Sequence, residues 1–125
     1  MTKTALVRCE KNETRCPLTN CLKCMMEQKE GFAGYEACYP AGIFTCRCPG
    51  DNIEALARIL KSKGAESIHV CTCSFARKTD EGWVYGNGFC DHIDDIIAAA
   101  HEASGLPCIK GTAHLPEGYT PGILK

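Results

Sequence analysis

The sequence predicts a small three-layer α/β domain whose core is a four-stranded, mainly parallel β-sheet flanked by helices. Apolar segments of strand length alternate along the chain with segments in which apolar residues recur at helical spacing. Strands that are separated by helices pair in parallel through right-handed crossovers, and the helices then cover the faces of the sheet. A chain of 125 residues suits one such domain, so we expect a single domain over residues 1–125.

The first half of the chain is predicted to begin with two strands and a helix between them. The strands cover residues 4–9 and 42–46, and the second could extend backwards over residues 37–39. The helix begins within residues 17–20 and carries Leu22, Met25 and Met26 on one face. A polar loop that contains cysteine connects the first strand to this helix.

The clearest helical pattern follows Pro49 and Gly50. Asp51 or Asn52 can cap the helix, and Gly64 ends it where a left-handed residue is favourable. Between these ends, apolar residues recur at the spacing of one helical face: Ile53, Leu56, Ala57 and Leu60.

The second half of the chain adds two strands and another helix. The strands cover residues 67–71 and 106–110. Asp91 is expected to cap a helix with the apolar residues Ile93, Ile96, Ile97 and Ala100. Residues 74–89 lack clear periodicity, so we expect a lid in which Trp83 shields a site from water. This order of strands and helices predicts a flavodoxin-like or Rossmann-like arrangement.

Eleven cysteines indicate metal binding, redox chemistry or a secreted disulfide scaffold. Because the number is odd and the first residues lack the apolar core of a signal peptide, we expect reduced thiols and a cytoplasmic location. Fourteen basic and fifteen acidic residues, without a run of like charge, argue against a nucleic-acid partner. No apolar run is long enough to cross a membrane, which argues against a membrane partner. The cysteines make a metal ion the expected partner. The sequence identifies no protein partner.

Cysteine and histidine residues follow the predicted strands, at the edge where open α/β sheets bind ligands. The candidates are Cys9 at the end of the first strand, Cys46 and Cys48 after the second, Cys71 and Cys73 after the third, and His114 after the fourth. Since parallel strands end at the same edge, we expect these side chains to share one metal site.

The spacing of the cysteine pairs favours metal binding over disulfide exchange. A disulfide between thiols separated by one residue is strained, whereas both thiols can bind one ion. Cys46 and Cys48 also precede a helix N-terminus, where the helix dipole and Arg47 are expected to favour the thiolate. Cys90, ahead of the next helix, is expected to share this effect in weaker form.

The remaining cysteines have several interpretations. Cys16, Cys21 and Cys24 could complete the same site, form a second site or pack in the core. Cys38 and Cys108 lie in apolar segments without a partner at chelating distance along the chain, so we expect them to be small buried side chains.

A series of short motifs occurs along nearly the whole chain: Arg8-Cys9-Glu10-Lys11-Asn12, Cys16-Pro17 with Cys21, Phe44-Thr45-Cys46 leading to Cys48-Pro49-Gly50, Cys73, Phe89-Cys90-Asp91-His92-Ile93-Asp94, and Gly111-Thr112 before His114. In this order they resemble the CGGC-domain family of small, cysteine-rich prokaryotic proteins. Arg47 stands where the family has two glycines between its cysteines, and Ala113 separates Thr112 from His114. The resemblance implies metal binding by a single CGGC-like domain, with zinc as the expected ion, but it implies no particular activity.

The leading hypothesis is therefore a protein that binds zinc or an iron–sulfur cluster through thiolates. The predicted ligands are Cys9, Cys46, Cys48, Cys71, Cys73, Cys16, Cys21, Cys90 and His114. The sequence alone leaves open whether the protein is also an enzyme.

Two other classes of function remain as alternatives. A thiol–disulfide oxidoreductase would use Cys46 and Cys48, or one of them with Cys73, as attacking and resolving thiols. A minor alternative uses Cys9 and Arg15, whose C-x5-R spacing resembles the phosphate loop of low-molecular-weight tyrosine phosphatases and arsenate reductases. That loop lacks glycine and contains Glu10 and Glu13, which would repel a phosphate.

Overall fold

The computed structural model describes residues 1–125, which form a five-stranded sheet, a two-stranded sheet and three helices. The strands are β1 (Thr2–Cys9), β2 (Cys38–Cys46), β3 (Ser67–Val70), β4 (Ala76–Thr79), β5 (Gly82–Tyr85), β6 (Cys108–Lys110) and β7 (Gly122–Leu124). The helices are α1 (Thr19–Glu27), α2 (Ile53–Ser62) and α3 (Ile93–Ser104). The predicted α/β class is confirmed.

The main sheet has the strand order β2-β1-β3-β6-β7. β1 pairs in parallel with β2 and β3, and β3 pairs in parallel with β6, as the sequence predicts. The prediction of four strands is one short, because β7 joins the sheet antiparallel to β6. All three residues of β7 are exposed, so no apolar alternation reveals it in the sequence.

Helices cover both faces of the main sheet because successive side chains of a strand point in opposite directions. Ala5 and Val7 of β1 belong to a core that includes apolar residues of α2 and α3. Leu6, between them, belongs to a second core that includes Cys21 and Met25 of α1. The sheet therefore separates an α1 side from an α2/α3 side.

The three helices follow the predicted order, and the differences lie at their ends. α2 buries Ile53, Ala57 and Leu60, and Gly64 follows it at a φ of 96°, as predicted. Asn52 occupies the N-cap position without a capping hydrogen bond from its side chain. Its amide instead accepts from the backbone N–H of Arg47 and donates to the carbonyl of Thr45, which fixes the loop after β2.

α1 begins within the predicted residues, and α3 begins one residue later than expected. α1 buries Cys21 and Met25, whereas Met26 is exposed, so the prediction that Met26 shares the apolar face is wrong. Cys21 and Met25 are four residues apart and face one way, and Met26 lies about 100° further round the helix. His92, and not Asp91, occupies the N-cap position of α3, and the Asp91 carboxylate accepts a hydrogen bond from the His92 ring.

Residues 74–89 are more regular than the sequence indicates. β4 and β5 form an antiparallel hairpin in which Lys78 is opposite Trp83. Gly82 begins β5 at a φ of 109°, a conformation that glycine adopts without strain. The hydroxyl of Thr79 closes the turn by donating to the Gly82 carbonyl and accepting from the N–H of Glu81.

None of the helices has the length and apolar character that a membrane crossing requires.

Candidate functional site

The structure divides the cysteines after the strands into two groups on opposite faces of the sheet. We name them the α3-side group (Cys9, Cys46, Cys48 and Cys90) and the α1-side group (Cys16, Cys21, Cys71 and Cys73). The first group lines one pocket beside the start of α3. The second belongs to, or packs against, the core beneath α1. The predicted ligands thus lie at one edge of the sheet but do not share one cluster.

The α3-side group is assembled by strand register and by a short loop. Cys9 and Cys46 end β1 and β2 as direct partners in the parallel ladder. Cys48 is exposed in the loop that follows, whereas Cys9 is buried. His92 also lines this pocket, and its Nε2 hydrogen bonds to the Pro49 carbonyl. The loop after β2 is thereby attached to the start of α3.

Gly50 is essential to the shape of this loop. Its φ is 108°, and an added Cβ would collide with the side chain of Ile96 on α3. The same hypothetical Cβ would be 3.7 Å from the Sγ of Cys46. A larger residue would therefore disturb both the loop and the pocket that the thiols line.

The charge of Arg47 is directed away from the thiols. Its guanidinium donates to Glu13 at 2.6 Å and lies 3.6 Å from the carboxylate of Glu10. The carboxylate of Glu10 also accepts a hydrogen bond of 2.6 Å from the backbone N–H of Cys48. Two carboxylates therefore compensate the cation that the sequence suggested would activate Cys46 and Cys48.

The thiols of Cys46, Cys48 and Cys90 are not activated. Burial raises the pKa of Cys46 to about 11, and the neighbouring thiols of Cys90 and Cys9 act in the same direction. Partial desolvation by neighbouring atoms is the largest cause that raises the pKa values of exposed Cys48 and half-buried Cys90. The expectation that a helix N-terminus and Arg47 favour thiolates here is wrong, because desolvation and mutual repulsion between thiolates outweigh them.

The α1-side group contains a close pair of thiols. The Sγ atoms of Cys21 and Cys71 are 4.0 Å apart, and the hydroxyl oxygen of Thr112 is 3.1 Å from the Sγ of Cys21. Hydrogen bonding between Cys21 and Cys71, together with the hydrogen bonds to Thr112 and from the N–H of Ala113, outweighs burial and lowers the pKa of Cys21 to about 6. The same hydrogen bond, together with burial, raises the pKa of Cys71.

Cys73 and Cys16 have polar partners of their own. The side-chain amide of Asn12 donates to the Sγ of Cys73 at 3.2 Å, and the backbone N–H of Leu18 donates to the Sγ of Cys16 at 3.3 Å. Burial raises the pKa of Cys73 to about 11 in spite of the hydrogen bond from Asn12. Each of these two thiols is therefore held by a polar group outside the Cys21–Cys71 pair.

The β4–β5 hairpin brings an aromatic stack to this group. The rings of Trp83 and His114 are parallel within 4°, with centroids 5.0 Å apart. Both line a pocket with Cys16, Cys21 and Cys73. His114 also hydrogen bonds through Nε2 to the side-chain amide of Asn20. Trp83 thus lies beside the thiols of the α1 side, whereas its predicted role as a shield against water stays a prediction.

A comparison with family models identifies the chain. The model described as "CGGC domain" matches residues 3–113, which is most of the sequence. The chain belongs to the CGGC-domain family. The resemblance noted in the sequence is thereby confirmed, including its coverage. No curated protein and no solved structure matches the chain.

The donor atoms of this CGGC domain suit a soft or borderline metal, but their positions do not define a coordination site. Cysteine thiolates are preferred ligands of zinc and of iron–sulfur clusters. As the side chains stand, no three Cys, His, Asp or Glu residues form a group able to hold an ion. The chemistry of the donors therefore fits a metal, and binding requires side chains to turn towards a common centre.

Cys38 and Cys108 have the packing role expected of them. Cys38 is 2% exposed and donates from its thiol to the Met25 carbonyl at 2.8 Å. Cys108 is 1% exposed, and burial raises its pKa to about 12. Cys24 is half-buried on α1, and burial raises its pKa as well.

The loop after β1 does not form a phosphate cradle. The backbone N–H groups of Glu13, Arg15 and Cys16 donate to carbonyls within the loop and do not converge on an anion site. The Arg15 guanidinium lies over the ring of Phe89, 5.8 Å from its centroid. The geometry gives no support to the phosphatase alternative based on Cys9 and Arg15.

The polar residues that organise the thiols were not among the site residues predicted from the sequence. Thr112 and Asn12 contact Cys21 and Cys73 directly, and Glu10 holds the backbone of Cys48. Thr112 and Asn12 do fall within the motifs of the family resemblance, which was the available signal. Their contacts depend on segments far apart in the chain, so spacing could not reveal them.

Proposed function

We propose that this CGGC domain binds a metal ion through the α3-side group, with Cys9, Cys46, Cys48 and Cys90 as ligands. The observation that supports it is the pocket at the ends of β1 and β2, which these four cysteines line together. Four thiolates suit a structural zinc ion, and they also suit an iron–sulfur cluster. Zinc is the proposed ion, and the cluster is the alternative.

The electrostatics of the pocket support a cation there. The pKa values of Cys46, Cys48 and Cys90 are each raised by at least one other thiol of the group, because adjacent thiolates repel one another. A bound divalent cation would hold thiolates deprotonated and remove that repulsion. It would also connect β1, β2 and the segment that leads into α3.

Cys48 is the ligand best placed to adjust on binding. It is exposed and lies in a loop, whereas Cys9 is buried at the end of a strand. The proposal therefore has Cys48 and Cys90 turn towards the two cysteines that end β1 and β2. The other predicted ligands, Cys16, Cys21, Cys71, Cys73 and His114, lie with the α1-side group and are not part of this proposed site.

The alternative thiol–disulfide oxidoreductase at Cys46 and Cys48 has less support. An attacking thiol needs an appreciable fraction of thiolate near neutral pH, and desolvation raises the pKa values of both thiols, strongly for Cys46 and less for exposed Cys48. The two side chains also follow a strand at a spacing that strains a disulfide.

We further propose a flavodoxin-like winding and a reducing, cytoplasmic location in a prokaryotic cell. The parallel strand order β2-β1-β3-β6 corresponds to the start of the flavodoxin-like order. All eleven cysteines are free thiols, which is usual for proteins of reducing compartments. The prokaryotic source is carried over from the family resemblance.

Metal and sulfide analysis of protein purified without oxygen tests the metal proposal. We expect zinc, or iron with sulfide and visible absorption, and we expect Cys46→Ser and Cys48→Ser to lose most of it. Cys24→Ser is the matched control, because Cys24 is half-buried on the opposite side of the sheet. Metal content that is unchanged in both site variants would overturn the proposed ligand set.

A further inference from the structure

The α1-side group contains a thiol pair that the proposed metal site leaves unused. The Sγ atoms of Cys21 and Cys71 are 4.0 Å apart, so each sulfur has to move by only about 1 Å to reach disulfide length. Cys21 is in the first turn of α1 and Cys71 directly follows β3. Closure of this pair would link the helix to the sheet that it packs on.

The two thiols differ in their access to solvent. Cys21 is 9% exposed and lines the pocket beside Trp83 and His114. Cys71 is fully buried and does not line that pocket. A reagent in the pocket therefore reaches Cys21 first, and Cys71 lies behind it as the second thiol.

The pocket admits a small, uncharged reagent. Its lining has no carboxylate, and its polar groups besides the thiols are the amides of Asn12 and Asn20, the hydroxyls of Thr72 and Thr112, the His114 ring and the indole N–H of Trp83. The Thr112 oxygen accepts a hydrogen bond from the backbone N–H of Thr72 at 3.2 Å. Its own proton is therefore free to be donated to the Cys21 sulfur, 3.1 Å away, or to an oxygen that approaches it.

We propose that Cys21 and Cys71 are a redox pair that reduces a small hydroperoxide and becomes an intramolecular disulfide. The sulfur of Cys21 attacks the O–O bond, takes one oxygen as a sulfenic acid, and releases the other oxygen as water or an alcohol with the thiol proton. The sulfur of Cys71 then attacks the sulfenic sulfur, and the S–O bond breaks as the S–S bond forms. The Cys71 proton leaves with the hydroxyl as water.

In the whole reaction, two thiols are oxidised to one disulfide, and one hydroperoxide is reduced by two electrons. A dithiol reductant returns the disulfide to two thiols by exchange. The chemistry takes place on the face of the sheet opposite the proposed metal site. It therefore needs neither the α3-side thiols nor a bound metal.

Oxidation of the reduced protein with an equimolar amount of hydrogen peroxide tests the proposal. Alkylation of the remaining thiols should then modify nine of the eleven cysteines. Tryptic peptides 16–23 and 64–77 should be joined, and fragmentation should place the bond at Cys21 and Cys71, not at Cys16 or Cys73. A dithiol reductant should release them.

Variants separate the two steps. Cys21→Ser should abolish the cross-link, and Cys71→Ser should leave a sulfenic acid on Cys21 that dimedone traps. Cys24→Ser, on the same helix as Cys21, should cross-link like the unaltered protein. Thr112→Val should slow oxidation while leaving the position of the bond unchanged.

Several results would overturn the proposal. These are a cross-link that persists in Cys21→Ser, a bond between other cysteines such as Cys9 and Cys48, and oxidation by a small disulfide but not by peroxide. If Cys71→Ser does not fold, the decision comes from Cys21→Ser and the peptide map of the unaltered protein. Metal content is measured separately, and Cys46→Ser should still cross-link even if the metal proposal fails.

Discussion

Acidification should destabilise the protein through His69, a buried histidine of β3. Its ring has 0% exposure and stacks on Phe32 with centroids 4.2 Å apart. Nδ1 donates to the carbonyl of Gly111 and Nε2 accepts from the hydroxyl of Tyr35, both at 2.8 Å. Neither partner carries a charge that would compensate an imidazolium. Burial therefore lowers the pKa of His69 from 6.5 to about 4.

The size of the stability loss follows from the difference between the pKa values of His69 in the unfolded and folded chains. The unfolded chain binds a proton at His69 more tightly than the folded chain. The contribution of neutral His69 to the free energy of unfolding is therefore fully present above pH 6.5 and decreases as the pH falls towards 4. A difference of about 2.5 pKa units corresponds to about 3 kcal/mol of unfolding free energy once the pH is below both values. At pH 5 the loss relative to pH 7 should be about 2 kcal/mol.

Denaturant unfolding between pH 7.5 and pH 4 measures this loss, with His69→Gln as the matched variant. Glutamine retains hydrogen-bonding groups but does not titrate, and both proteins share every other titrating side chain. The difference between their curves therefore isolates His69. We expect the unaltered protein to lose more stability than His69→Gln as the pH falls, and curves that stay parallel over the whole range would refute the reasoning.

Three further results are expected. Gly50→Ala should lower the unfolding free energy by roughly 2 kcal/mol or more, because the new Cβ meets Ile96 at a positive φ; denaturant unfolding that matches the unaltered protein would contradict this. Alkylation of Cys46 in metal-free protein should become about tenfold faster per pH unit between pH 8 and pH 10, since its pKa is about 11, and a plateau below pH 8 would indicate an activated thiol instead. The emission of Trp83 should change when the α1-side thiols are alkylated and in His114→Ala, but not on selective alkylation of Cys48, as fluorescence titration can check.

The elements of the fold were predictable where local pattern determines them. α3 buries all four apolar residues that helical spacing selects, and α2 buries three of its four, with Leu56 half-buried. β1, β2, β3 and β6 pair in parallel as the alternation of strands and helices requires. β7 was not predictable, because it is a short exposed strand held by pairing with β6. The β4–β5 hairpin was missed because its core contacts come mainly from Ala76 and Trp83 and leave little alternation to detect.

The electrostatics of the thiols were less predictable than their positions. Arg47 lies between two cysteines in the sequence, which suggests a cation that stabilises thiolates. In the folded chain Glu10 and Glu13, from the loop after β1, compensate that charge. The lowered pKa occurs at Cys21, whose partners Cys71 and Thr112 are 50 and 91 residues further along the chain. Contacts at such separation depend on the packing of α1 against the sheet and not on local spacing.

The division of the cysteines into two groups follows from strand register. Val7 of β1 is the ladder partner of Val70 of β3, so their side chains point to the same face. Cys9 follows Val7 by two residues and stays on that face, whereas Cys71 follows Val70 by one residue and points to the other. Topology brings Cys9 and Cys71 to one edge of the sheet. A difference of one residue in their spacing from the paired valines determines the face on which each side chain lies. The proposed metal chemistry and the proposed redox chemistry are therefore separated by the sheet itself, so a substitution on one side should leave the other side's reaction intact.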